Sequence, residues 1–302
     1  RQAGGVGTPL IVFAAADQDD HGTPPWHPEN RGRLDAALAG VERAGLGEAS
    51  EWRTPREATL DELALAHVPE YVAAVEAFCA AGGGQLDPDT VATAGSWGTA
   101  RRAAGAVLDA VDALRAGECD VAFAAGRPPG HHAVRDRAMG FCLFNNVAVA
   151  ARWAQAERGV ERVLIIDWDV HHGNGTQDIF WADPNVFYVS MHEWPLYPGT
   201  GSLTDLGAGD GRFTTMNFPF PAGTTGDVYR RAIDEVLIPV VSAWNPTWLL
   251  LSAGFDGHRL DPLAGIDLTS GDFADITRAL VELVPPGRRP AFLEGEPSPR
   301  RS

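Results

Sequence analysis

Val163-Leu164-Ile165-Ile166-Asp167-Trp168-Asp169-Val170-His171-His172-Gly173-Asn174-Gly175 is the stretch on which the fold and the chemistry of this chain both turn. Its four opening residues are apolar without interruption, the pattern expected of a strand covered by helices on both faces. Polar residues then crowd the point where such a strand ends. In an extended segment side chains alternate faces, so Asp167, Asp169 and His171 are expected on one face at the strand's C-terminal end. Ligands of open parallel sheets bind outside those ends.

Outward from this run the same grammar repeats. Further strands are expected at 121–125, 185–190, 213–218, 247–252 and 291–293, with the central one covering 162–168. Helical periodicity covers 98–116, 145–158, 226–243 and 272–284, the last introduced by a Thr269/Asp272 capping box. Earlier helices are expected at 30–45, 60–66 and 68–81. Alternating helices and apolar runs predict βαβ units, hence an α/β fold of three layers around a mostly parallel central sheet. No linker or internal repeat divides the 302 residues, so the expectation is a single domain over 1–302.

Composition narrows the function classes. With 24 basic against 40 acidic side chains the formal charge is −16, which excludes a general nucleic-acid binder, because such a protein needs a basic face to displace counterions. No apolar run approaches the roughly 18 residues of a membrane span, so no membrane partner is expected. Cys79, Cys119 and Cys142 are odd in number and lie far apart, which argues against a disulfide framework and for a reducing, cytoplasmic setting.

Three clusters carry chemistry. Asp167 to Gly175 is the first. The second, Ser252-Ala253-Gly254-Phe255-Asp256-Gly257-His258, follows Trp248 to Leu251 and brings another carboxylate from a second strand end. Two aspartates and one histidine leave an open position for water, the arrangement of catalytic zinc, although an oxygen-rich set also admits Mn²⁺ or Fe²⁺. The third, Arg127-Pro128-Pro129-Gly130-His131-His132-Ala133, places two adjacent histidines on a stiffened loop, poorly arranged to share one metal but suited to proton transfer. Gly140-Phe141-Cys142-Leu143-Phe144-Asn145-Asn146 leads into a helix, and Phe141 with Tyr197 is a candidate wall for a narrow apolar channel.

In this order and spacing the runs Arg127–Ala133, Gly140–Asn146, Asp167–Gly175 and Ser252–Gly257 resemble the zinc-dependent histone deacetylase and acetylpolyamine amidohydrolase family, with the Asp-Trp-Asp-Val-His-His-Gly-Asn-Gly-Thr-Gln run similar to its class II branch and bacterial relatives. His27-Pro28-Glu29 and Asp261-Pro262-Leu263 extend the likeness across nearly the whole chain. The resemblance implies an arginase/deacetylase fold and the hydrolysis of an acetylated amine, whether protein lysine, polyamine or another small molecule. It implies Asp169, His171 and Asp256 as zinc ligands and His131 and His132 as catalytic histidines, paired with Asp167 and Asn174 respectively. A carboxylate partner stabilises imidazolium more than an amide does, which makes His132 the better base near neutral pH. The resemblance further implies Gly140, Phe141 and Tyr197 along the acyl channel, Asp89 at its rim and Arg33 in an internal cavity. A structural potassium site is implied at the carbonyls of Asp167, Asp169, His171 and Met191 with Ser190, and a second one at Phe180, Asp183 and Val186.

One departure alters the forecast. In the family a Gly-Gly-Tyr follows the last core strand, and its tyrosine polarises the acyl carbonyl. Here the run is Phe292-Leu293-Glu294-Gly295-Glu296-Pro297, with Pro297 at the tyrosine position, so the chain is expected to be truncated or altered at its C-terminus. Tyr71, Tyr188 and Tyr229 have no evident route to the metal. Impaired hydrolysis is therefore expected, and the competing readings are an acyl-lysine binding module on a degenerate scaffold and a two-Mn²⁺ ureohydrolase-like enzyme, for which one Asp256 stands where a carboxylate pair is wanted. Asp17, Asp19, Asp20, Glu29, Asp87 and Asp89 are candidates for an acidic mouth that steers a cationic substrate. Oligomeric state is not legible.

Overall fold

The computed structural model describes residues 8–15, 20–24 and 27–295. In chain order the first half holds β1 (Thr8–Ala14), α1 (Arg31–Arg43), β2 (Ser50–Arg53), α2 (Leu60–Leu63), α3 (Pro69–Ala80), β3 (Gly83–Gln85), β4 (Val91–Thr93), α4 (Ser96–Ala116), β5 (Cys119–Ala125) and α5 (Asn146–Arg158). The second half holds β6 (Val163–Asp167), α6 (Asn174–Phe180), β7 (Val186–Glu193), β8 (Thr215–Phe220), α7 (Gly226–Ala232), α8 (Ile238–Trp244), β9 (Trp248–Ala253), α9 (Ser270–Val281) and β10 (Pro290–Leu293).

Eight strands form one sheet in the order β2-β1-β5-β10-β9-β6-β7-β8, and every neighbour pairs in parallel. The expected α/β architecture with a mostly parallel sheet is thus the one observed. Every residue of β6, β7 and β9 is buried, which is what helices on both faces require and why these runs read as unbroken apolar sequence. One apolar layer joins Ile165, Tyr188 and Leu250 to α4 and α5. The opposite layer joins Ile166, Val189 and Leu251 to α7, α8 and α9. At ~25 cal/mol per Å² of apolar surface, burying each such side chain contributes about 1.5–3 kcal/mol.

The Thr269/Asp272 capping box opens α9, each residue's side chain bonding the other's backbone N–H. Three expectations are corrected. The strand expected at 213–218 is β8, two residues later, because Phe213 turns back with φ 74 and belongs to the preceding turn. The helix expected unbroken over 226–243 is interrupted by a π-helical turn at Ile233–Leu237, between α7 and α8. β1 and β2 extend the sheet on the β5 side, where no strand was expected. Among the described residues no helix is long and apolar enough to cross a membrane.

Candidate active site

Four adjacent strands, β5, β10, β9 and β6, end side by side, and the residues just past their C-terminal ends line a cavity of about 280 Å³. β6 ends at Asp167, and the chain beyond it carries Asp169 and His171; β9 ends at Ala253 and the next turn carries Asp256. Asp169, His171 and Asp256 each offer one ligand atom, all lying within 4.8 Å of one another. The His171 Nδ1 atom is 3.2 Å from Asp169 Oδ1 and 3.1 Å from Asp256 Oδ2. A tetrahedral shell at about 2.1 Å has edges of about 3.4 Å, so two carboxylate oxygens and one imidazole nitrogen at this spacing fit a single zinc ion.

The surroundings of these three groups point the same way. Burial opposes charge on His171, yet Asp169 and Asp256 raise its pKa to about 10, so this spot favours positive charge. Burial likewise opposes ionisation of Asp169, but His131 and His171 hold its carboxyl well below the usual range. Backbone N–H groups aim the carboxylates: His171 N donates to Asp169 Oδ1, Gly295 N to Asp169 Oδ2 at 2.7 Å, and Val170 N to Asp256 Oδ1. Among the described residues this is the one such ligand group, and it has two carboxylates rather than the bridging pairs of a two-metal site.

Asp167 does not join the cluster, although alternation expected it on the same face. β6 ends at Asp167, so the pleat that would carry the alternation onward stops there. Its Oδ2 instead lies 2.9 Å from His131 Nδ1. His132 Nδ1–H donates to Asn174 Oδ1 at 2.8 Å, since an amide oxygen only accepts. The two rings are 4.0 Å apart between centroids and their partners set them apart chemically. Burial works against charge on both. For His131 the Asp167 and Asp169 carboxylates overcome it and raise the pKa well above its ordinary value. For His132 the charges of His131 and His171 add to burial and lower it.

Arg33, Asp89, Gly140, Phe141 and Tyr197 line the same cavity. Gly140 (φ 56) and Phe141 (φ 68) adopt left-handed backbone, and a Cβ on Gly140 would lie 2.4 Å from His132 Cδ2, so only glycine lets the chain pass that ring. Tyr197 stands edge-on to His132 with centroids 5.1 Å apart. Asp89 lines the same cavity, its carboxyl raised by burial and by neighbouring Asp87. Arg33, itself buried, donates to Pro28 O.

The acidic mouth needs revision. Glu29 is buried, with Arg127 donating to both carboxylate oxygens and His21 3.4 Å away, because a carboxylate at that depth requires a cation. Asp20 is exposed and Asp87 half-buried, while Asp17, Asp19 and Pro297 lie outside the described residues. Ser190 Oγ is 2.9 Å from His192 Nδ1 and Met191 O faces the Tyr229 hydroxyl. Near the second expected potassium position, Asp183 pairs with Arg152, whose guanidinium also lies over the Phe180 ring, and Val186 is buried at the start of β7.

Sequence reasoning passed over several supports. The Tyr188 hydroxyl lies 3.2 Å from Asp167 Oδ2 and 3.0 Å from Gly173 O, its one O–H shared between the two acceptors, so it does approach the site, from the sheet side. Its place inside an apolar strand was the available signal. Asn145 Nδ2 donates to Ala133 O, and its own N–H donates to buried His67 Nε2. Glu294, an acid directly following the apolar β10, bonds the loop that carries the histidines.

A sequence profile described as "Histone deacetylase domain" matches residues 27–295. The chain is 40% identical over 280 residues to a probable deacetylase of Archaeoglobus fulgidus, covering 91% of this chain and 77% of that one. It is also 40% identical over 281 residues to the polyamine deacetylase HDAC10 of Rattus norvegicus, covering 87% of this chain and 46% of that protein. The crystal structure of the HDA15 HD domain superposes with a TM-score of 0.88 at 37% identity, covering 96% of this chain and 83% of that one.

Proposed function

The chain belongs to the histone deacetylase family, and on that premise we propose that it hydrolyses the N-acetyl amide of acetyl-lysine, an acetylpolyamine or a related acetylated amine, releasing acetate. The observation that carries this reading is the facing of two unlike histidines, one on Asp167 and one on Asn174, across from the Asp169/His171/Asp256 cluster in one cavity.

Asp169, His171 and Asp256 are the residues that would hold zinc, with Fe²⁺ or Mn²⁺ as substitutes. Bound there, the ion supplies Lewis-acid activation of water and of the acyl carbonyl. His132, kept neutral and with Nδ1–H committed to Asn174, offers Nε2 as the base that takes the water's proton. His131, held as imidazolium by Asp167, protonates the departing amine. Phe141 and Tyr197 flank the acyl stem, Asp89 meets the rest of the substrate, and Arg33 lines the space behind the reacting atoms. Structural potassium at the two positions named above, a single deacetylase-like domain and a reducing cytoplasmic setting, supported by three buried free cysteines, complete the proposal.

Pro297, standing where the family's tyrosine is expected, favours a second reading. Removal of one preorganised oxyanion donor costs about 2.7–4 kcal/mol, roughly 10²–10³ in rate. Unactivated acetyl amides are then hydrolysed slowly, and in the limit the scaffold is an acyl-lysine binding module. The test compares acetyl- and trifluoroacetyl-lysine amides on zinc-loaded protein, with hydroxamate binding measured in parallel. Faster turnover of the activated amide supports impaired hydrolysis. Equal rates on both would remove the argument from Pro297. Hydroxamate binding with no turnover of either selects the binding module.

A further inference from the structure

Glu294 puts a carboxylate at the C-terminal end of β10, in the middle of the sheet and with only 6% of its surface exposed. Burial raises its carboxyl to about 7; the charge of His131 works against that rise, while Asp167 adds to it. A carboxyl in that position is costly unless its lone pairs are used. They are used on three donors from two segments at once. Oε2 accepts the backbone N–H of Gly130 at 2.7 Å and of His131 at 3.1 Å, and Oε1 accepts the Ser252 hydroxyl at 3.0 Å.

Gly130 and His131 belong to the loop after β5, which is neither helix nor strand and therefore has no ladder to fix it. Its carbonyls are tied from the other side: Gly175 N and Thr176 N both donate to His131 O, and Asn145 Nδ2 donates to Ala133 O. Glu294 supplies the opposing grip on the N–H side. One residue further, Gly295 N bonds Asp169, so the same two-residue end of β10 touches both the histidine loop and the ligand cluster. We propose that Glu294 is a positioning residue: by holding the Gly130 and His131 amides against β9 and β10, it sets where the two imidazoles stand relative to Asp169, His171 and Asp256. Only the kinetic readout of this inference rests on the hydrolytic reading above.

The experiment uses zinc-loaded full chain and compares Glu294→Ala with Glu294→Gln. Glutamine keeps the geometry, with Oε1 turned to the two N–H groups and Nε2 donating to Ser252 Oγ. Amide hydrogen exchange at Gly130 and His131, read by NMR, is expected to be slow in the wild type and in Glu294→Gln and fast in Glu294→Ala. On the trifluoroacetyl-lysine amide, kcat is expected to fall about 10- to 100-fold in Glu294→Ala, the scale of a misplaced catalytic group. KM and zinc content are expected to hold, and Glu294→Gln to recover most of the loss. The proposal is overturned if exchange and kcat in Glu294→Ala match the wild type, if Glu294→Gln is as impaired as Glu294→Ala, or if the loss falls on KM alone. Should Glu294→Ala fail to fold, Glu294→Asp serves with the same outcomes, since its shorter side chain cannot span from Gly130 to Ser252. Exchange needs no turnover. A wild type that hydrolyses nothing, yet loses Gly130 and His131 protection in Glu294→Ala, sinks the hydrolytic reading and leaves the positioning role standing.

Discussion

Asn174 accepts the Nδ1–H of His132 at 2.8 Å, and that contact decides which nitrogen of His132 is free to act. His132 lies in a setting where burial and the charges of His131 and His171 lower its pKa. Asn174→Asp places a carboxylate at the same distance, which raises that pKa, so a larger share of His132 is protonated at neutral pH and unable to accept a proton. The acidic limb of the kcat/KM profile is expected to move up by about 1–3 pH units, the usual effect of an adjacent opposite charge. A pH series on the activated amide checks this, and an unmoved limb would show that another group is the base.

Glu29 and Arg127 predict acid sensitivity. Burial raises the Glu29 carboxyl, but His21 and Arg127 more than reverse it and hold its pKa at about 2, below the ordinary 4.5. The folded value is the lower one, so this contribution is complete above the unfolded pKa and is lost as pH falls from about 4.5 towards 2. A shift of that size corresponds to stability on the order of 3 kcal/mol. Arg127→Met leaves the carboxylate buried with His21 alone beside it and is expected to cost up to about 3–5 kcal/mol at pH 7. Urea titrations of both proteins between pH 2 and 7 measure both quantities.

Gly295→Ala should weaken metal binding without altering the histidines directly. An added Cβ lies 2.3 Å from Asp256 Oδ2 and 2.4 Å from Asp169 Oδ2, inside any tolerable contact, so both ligands must move. The expected loss is about 10- to 100-fold in zinc affinity, comparable to removing an outer-shell partner. Competition against a chromophoric chelator reads it, and unchanged affinity would argue against these two carboxylates as ligands.

Gly140→Ala perturbs the other half of the site. Its methyl would meet His132 Cδ2 at 2.4 Å, and the φ of 56 is unfavourable to any side chain. Zinc content is expected to stay at the wild-type level while kcat drops, by up to about 10²-fold if His132 shifts by 1 Å. Atomic absorption and steady-state kinetics on the same preparation separate this outcome from that of Gly295→Ala.

The legible parts of the molecule were those written locally. β6 and β9 announce themselves because a strand buried on both faces must be apolar at every position, and Asp169, His171 and Asp256 follow them directly. β2 is Ser50-Glu51-Trp52-Arg53 at the sheet's edge, with two exposed residues, and has no pattern to read. Phe213 looked like strand because its ring is apolar, yet its backbone turns and its side chain is exposed. Glu29 sits near other acids in sequence, but its burial is decided by Arg127, 98 residues away. The grip of Glu294 on Gly130 likewise spans 164 residues, a distance over which periodicity carries no information.

β10, late in the sequence, pairs with β5 on one side and β9 on the other. As the chain leaves the ribosome, β5 and β9 are made well before the strand that lies between them. Until Pro290–Leu293 emerges they present open edges, the kind of surface that invites pairing with other chains. The histidine loop and the Asp169 carboxylate must also wait for Glu294 and Gly295. Synthesis thus delivers the keystone of the site after every catalytic side chain it holds, and a nascent chain halted before it has those side chains without the architecture that brings them into register.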